Sequence, residues 1–196
     1  MFCRSQKGKQ NMCRKLEELH NKKPDYFLNN ITAIPIDIGK ILEDNNIKYY
    51  PVSFKKLEKE LQLEQSFILG LAFARGNELG ILFSNESDEK EKRFTLAHEL
   101  GHCCRHMNKK SLYHIELHTK GDVLENRSNK FLVIDSKKEE EADTFARDLL
   151  VPTSILLWVL KKHPDINIDQ LADCFDIPKD QMVKKLEQIK DSKIRL

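Results

Sequence analysis

The sequence has no apolar run approaching the ~20 residues that a helix needs to cross a bilayer. Its basic opening, "MFCRSQKGKQ", lacks the apolar segment that a signal peptide carries. Both absences lead us to expect a soluble, cytoplasmic protein with no membrane partner. There is no CxxC pair either: Cys3, Cys13, Cys103, Cys104 and Cys174 are odd in number, and Cys103 and Cys104 are adjacent. That argues against a disulfide framework and suits a reducing compartment. Nor is one charge in excess, since 33 basic residues face 31 acidic ones for a formal +2. A protein whose main partner is a polyanion would show a basic surplus, so the composition argues against direct nucleic-acid binding. Internal repeats and low-complexity tracts are missing as well.

What is present is a chain of 196 residues, long enough to bury a sizeable core. Residues 1–30 are polar and lysine-rich and read as an N-terminal helical arm or extension, peripheral or loose. Residues 31–152 read as the main domain and 153–196 as a C-terminal helical subdomain. Within the main domain, "IPIDIGKILEDNN" predicts a short helix stopped near Asn45 and Asn46, followed by a strand around Ile47–Val52. "SFKKLEKELQ" predicts an exposed or amphipathic helical turn. "SFILGLAFARGNELGILFS" is two apolar β-type runs joined by turn chemistry at Gly76 and Asn77, so a hairpin is expected. It reads as core sheet beneath a helix, with an exposed edge open to an added strand.

Asp88, with Glu91 three residues later, marks a helix start, and a helix is predicted over 89–106. Strand candidates follow near 112–117 and 130–134. A second long helix is expected from near Lys138 to Pro152, and three short helices complete the tail. The fold class is α+β: a small twisted sheet packed on two long helices, with a C-terminal helical, helix-turn-helix-like subdomain.

The first long helix carries "RFTLAHELGHCCRH", which places two histidines and a glutamate in an apolar run. Burying such groups without partners is costly. Residues four apart share one helix face, so His98 and His102 present their rings to one point. Zinc accepts two such nitrogens at ~2.0–2.1 Å. Glu99 is rotated about 100° from His98 and flanks that point, where a carboxylate can take a proton from water. The bland alternative is a buried helix whose histidines bond their neighbours.

A catalytic zinc takes three protein ligands, and "EEEADTFARDLL" offers a carboxylate. Its apolar stripe is Ala142, Phe145, Ala146 and Leu149, and Glu139 lies one turn before Ala142 on the same side. Asp143 lies four residues after Glu139, where it could fix the tautomer of a ligating histidine. Glu141, aligned with Phe145 and Leu149, is the rival ligand. His106 continues the i, i+4 series and is either an alternative ligand or a residue one turn beyond the ion.

"FTLAHELGH" followed by "EADTFARDLLVP" resembles the ImmA/IrrE family of zinc metallopeptidases, across roughly Ile34 to Pro152. Cys103, Cys104 and Arg105 depart from the small or aliphatic residues common in that family. The Glu-x-x-x-Asp spacing is also similar to that of thermolysin-like zincins, in which the glutamate is the third ligand. The resemblance implies Zn2+ as cofactor, His98, His102 and Glu139 as its ligands, and Glu99 as general base. An oxyanion donor would come from Tyr113, His106, His114 or His118. It further implies site-specific cleavage of a transcriptional repressor with its own helix-turn-helix, in mobile-element or stress responses.

Two rival functions stay in view: a zinc-binding sensor that cleaves nothing, and a DNA-binding regulator. The second rests on "INIDQLADCFDIPKDQMVKKLEQI", which has helix-turn-helix form. Asp165, Asp169, Asp173, Asp176 and Asp180 offset its lysines, whereas a recognition helix needs a basic face. Packing against the main domain is the role we expect for it.

Overall fold

The computed structural model describes residues 15–28, 33–60, 67–75, 78–107, 115–120 and 135–194. Among these the fold is α+β, with a four-stranded mixed sheet and two long helices crossing beside it. The chain opens with helical residues 15–19 (α1) and Pro24–Leu28 (α2). Leu16, Leu19 and Phe27 are buried in the core, and the Asn21 amide donates to the Cys104 carbonyl at 2.8 Å. The described part of the arm is therefore docked against the main domain rather than loose.

Asp37 caps α3 (Ile38–Asp44) by accepting from the Lys40 amide at 2.9 Å. Asn46, in the left-handed region at φ 52°, ends it, a conformation asparagine tolerates better than most residues. The chain then enters β1 (Lys48–Val52), α4 (Lys55–Glu60), β2 (Phe67–Arg75) and β3 (Glu78–Ser84). β2 and β3 pair antiparallel as the expected hairpin, and β1 pairs parallel with β3. A last strand, β4 (Ile115–Lys120), pairs antiparallel with β2. The order is β1-β3-β2-β4, so both hairpin strands are internal. The expectation of an open hairpin edge is thus corrected: β4 fills it. The strand candidate near 130–134 lies outside the described residues.

The helix α5 (Glu89–Arg105) lies across β2 and β3 and is buried from Phe94 to Cys104. A helix enclosed on all sides needs no polar face, which suits the long apolar run. Its N-terminus is capped by Asp88, whose carboxylate accepts from the Glu91 amide at 2.9 Å. The sheet under it is lined by small residues, Gly70, Ala72 and Ala74, all buried. Asp135 caps α6 (Ser136–Leu150), which buries Ala142, Phe145, Ala146 and Leu149, the stripe read from the sequence. The tail forms α7 (Thr153–Lys162), α8 (Ile168–Phe175) and α9 (Lys179–Ile194). One apolar cluster extends from Leu16 through α5 and α6 to Phe175, Met182 and Ile189.

Candidate metal centre

The crossing of α5 and α6 is unusually close at Gly101, where an added Cβ would lie 3.2 Å from the Ala142 Cα, the Ala142 carbonyl and the Phe145 Cβ. Only a residue without a side chain lets the two backbones approach so far. That approach brings one turn of α6 against the histidine row of α5. His98 and His102 are fully buried, with their Nε2 atoms 2.9 Å apart. Glu139 of α6 spans both, with Oε2 3.3 Å from His98 Nε2 and Oε1 3.3 Å from His102 Nε2. The three ligand atoms lie within 4.8 Å of one another.

The hydrogen-bond network fixes which nitrogens carry hydrogen. Asp143 Oδ1 lies 2.9 Å from His98 Nδ1, and a carboxylate can only accept. The hydrogen of neutral His98 is therefore on Nδ1, and its lone pair points from Nε2 toward Glu139 and His102. A carboxylate and a ring lone pair thus face each other in a largely buried site, which calls for a cation between them. Donor atoms held tetrahedrally at ~2.0–2.1 Å stand about 3.3–3.4 Å apart, close to the two 3.3 Å separations here. The residues fit a small divalent ion.

The electrostatics say the same. Burial opposes a charge on His98, yet the bonds to Asp143 and Glu139, with the nearby charge of Glu99, raise its pKa to about 9. Burial would also raise Glu139, but His102 and His98 hold it well below the ordinary carboxylate range. His102 is lowered, by burial first and by His98 and His106 further, against the bond to Glu139. A proton is thus held where a metal cation would sit.

Glu99 is fully buried beside this group, on the sheet side. A Cβ on Gly70 would be 2.6 Å from Glu99 Oε1 and 2.6 Å from the Thr95 methyl. Next to Gly70 the β2–β4 register shifts, which bends the strand locally. Gly70 was not singled out in the sequence; a lone glycine inside an apolar strand run was its signal. Arg147 was also missed. Buried at 3% exposure, it reaches Asp143 Oδ2 at 3.5 Å and Glu140 Oε1 at 2.6 Å. It also donates to Gln181 Oε1 of α9 at 3.2 Å. The i, i+4 spacing from Asp143 to Arg147 was the available clue.

His106 caps α5 and sits beyond His102, their Nδ1 atoms 2.9 Å apart. Glu141 lies 3.2 Å from His106 Nε2 and is not in the group of three. His118 is in β4, its backbone opposite Gly70. Tyr113 and His114 lie outside the described residues.

The family described as Peptidase M78, the IrrE N-terminal-like domain, matches residues 52–187. The chain belongs to this family. Membership in the ImmA/IrrE group supports a hydrolase of the metallopeptidase type, and the matched span takes in α5, α6 and the group of three. No curated protein matches the chain. Among the described residues, no helix is long and apolar enough to cross a membrane.

Cys103 and Cys104, the family departures, are buried and free. Burial pushes the Cys103 thiol well up and that of Cys104 to about 12. Both act as small packing residues rather than nucleophiles.

Proposed function

We propose that the protein is a zinc endopeptidase that cleaves a cytoplasmic helix-turn-helix repressor at a specific site. The observation that carries the peptidase reading is the convergence of His98 Nε2, His102 Nε2 and Glu139 on one point, with Glu99 buried alongside. His98, His102 and Glu139 would hold Zn2+. The ion would supply Lewis acidity toward the scissile carbonyl and make water at the site more acidic.

The chain's own residues do the rest. Asp143 holds His98 in the tautomer that leaves Nε2 available. Arg147 holds Asp143 in turn, through its other oxygen. Glu99 takes a proton from the attacking water and delivers it to the leaving amide nitrogen, so one carboxylate serves as base and then acid. Its room beside Gly70 keeps it within the sheet-side wall of the site.

The repressor substrate rests on the family resemblance, as does a role in mobile-element or stress responses. One face of α9 packs on α6. Gln181, Met182 and Lys185 on that helix are buried, Gln181 against Arg147 and Lys185 against Asp148 of α6. A helix anchored in this way has that face committed to the protein itself.

Zinc-loaded wild type and Glu99→Gln, each added to cell extract, test the reading when new protein N-termini are catalogued. A few sites in a DNA-binding regulator, present with wild type and absent with Glu99→Gln, are expected. Cleavage that persists in zinc-bound Glu99→Gln would end the mechanism. No new termini with wild type would favour a zinc-binding sensor.

A further inference from the structure

His98 has a carboxylate to fix its tautomer, and His102 has none: its second nitrogen faces another histidine. We propose that His106 and Glu141 form a positioning relay that orients His102, presenting its Nε2 to the metal. The inference rests on the metal-site reading above and adds two residues to it.

The hydrogens can be placed one by one from the far end. Glu141 Oε2 lies 3.2 Å from His106 Nε2. A carboxylate accepts and cannot donate, so the hydrogen of neutral His106 sits on Nε2. His106 Nδ1 then carries a lone pair. It faces His102 Nδ1 at 2.9 Å, and of two ring nitrogens at that distance one must donate. The donor is His102 Nδ1–H. The lone pair of His102 is therefore on Nε2, 3.3 Å from Glu139 Oε1; its 2.9 Å contact with His98 Nε2 needs one hydrogen by the same rule, which then comes from the His98 side. Reversing the chain would require a hydrogen on His102 Nε2, between the three groups that would hold the metal.

The two arms of the site are thus built alike. Asp143 acts on His98 directly; Glu141 acts on His102 through His106. Water is a poor substitute in the second arm, because the His106 side chain is 6% exposed and that of His102 is fully buried. Both relay residues come from the helices that carry the three proposed ligands, so the crossing that assembles the site assembles the relay. A histidine at the end of α5 could instead be only a packing residue, since its backbone amide already closes the helix on the His102 carbonyl. The side-chain geometry is what separates the two roles.

The test uses the full chain as wild type, His106→Leu, His106→Asn, Glu141→Leu and His98→Ala. Zn2+ affinity is read by competition with a chromogenic chelator, and imidazole tautomers by long-range 15N–1H spectra of the metal-free protein. His106→Leu is expected to weaken zinc about 10–100-fold, the usual effect of losing such a partner. His106→Asn, whose Oδ1 can replace Nδ1 as acceptor, recovers most of that loss, and Glu141→Leu gives a smaller loss than His106→Leu. Wild-type His102 shows the Nδ1–H form.

An Nε2–H form of His102 in the wild type would overturn the relay without any variant. Wild-type affinity in His106→Leu, with binding lost in His98→Ala, would overturn it and leave the metal site standing. Equal losses in the Leu and Asn variants, tracking equal drops in thermal midpoint, would reduce His106 to packing. Failure of the wild type itself to bind zinc would remove the metal-site reading and the relay together.

Discussion

Gly70 and Glu99 are fitted to one another across the β2–α5 contact: a Cβ at residue 70 would lie 2.6 Å from the Glu99 carboxylate. The added methyl of Gly70→Ala also meets the Thr95 methyl at 2.6 Å. Thr95 is β-branched and stiff on its helix, so the contacts are relieved by Glu99 turning aside and by β2 giving way against α5. Displacing a reacting group by about 1 Å can cost about 100-fold in rate. Gly70→Ala should therefore lose about that much peptide hydrolysis while retaining zinc, because no ligand touches the new methyl. Parallel measurement of kcat and bound metal checks it; full activity would mean that Glu99 is not the group that handles the proton.

That pairing shows where the sequence stops being readable. The two long helices are legible because their signals are local: Asp88 and Asp135 as caps, and the Ala142, Phe145, Ala146, Leu149 stripe at helical period. The i, i+4 spacing of His98 and His102 is local too. Strand order is not, because pairing of β4 with β2 joins segments more than 40 residues apart, with no turn to announce it. Gly70 beside Glu99 is the same kind of fact, a contact between elements. The choice between Glu139 and Glu141 is intermediate. Both carboxylates reach the histidine row, one at His98 and His102 and the other at His106. Helical period cannot separate them, since long side chains reach around the helix.

His98 gives the metal-free protein a pH signature. Its pKa in the fold is about 9 against an ordinary 6.5. The folded state holds the proton more tightly than the unfolded chain, so this stabilisation is fully present below about pH 6.5 and disappears as pH rises through about 9. The thermal midpoint of metal-free protein should fall across that window, by an amount on the order of 3 kcal/mol in stability. Zinc must displace the same proton, so apparent affinity should rise over the same interval, by up to about tenfold per pH unit, and level off above it. Calorimetry at several pH values, with His98→Asn as control, measures both. A flat profile would mean that the proton is not shared with Glu139 and Asp143.

Gly101 sets the distance between the helices. A valine there would drive two methyl groups into the Ala142 backbone, where a Cβ alone already stands at 3.2 Å. Backbone cannot rotate away as a side chain can, so α5 and α6 must separate. Overpacking of this kind costs about 1–3 kcal/mol. The functional consequence should be larger than the stability loss suggests, because Glu139 retreats from both histidines. Gly101→Val is expected to stay folded at low temperature and bind zinc on the order of tenfold more weakly, as a displaced ligand would. Unchanged zinc affinity would show that α6 does not supply a ligand.

The last pair anchors α9 to α6. Lys185 of α9 is 1% exposed and its Nζ lies 2.6 Å from Asp148 Oδ1 of α6, whereas the Asp148 side chain is 37% exposed and also accepts from Gln188 at 3.1 Å. The two ends of the pair are therefore unequal. Asp148→Ala leaves an ammonium in a dry site, which costs about 3–5 kcal/mol. Lys185→Met removes that charge and keeps most of the volume, and the carboxylate left behind can be hydrated and still has Gln188. The lysine variant should be the milder of the two. The double variant should be more stable than Asp148→Ala alone, since it buries no charge at all. Urea midpoints of the three proteins decide it. If Lys185→Met were the most damaging, attraction between the charges rather than the penalty of an abandoned one would be what docks α9.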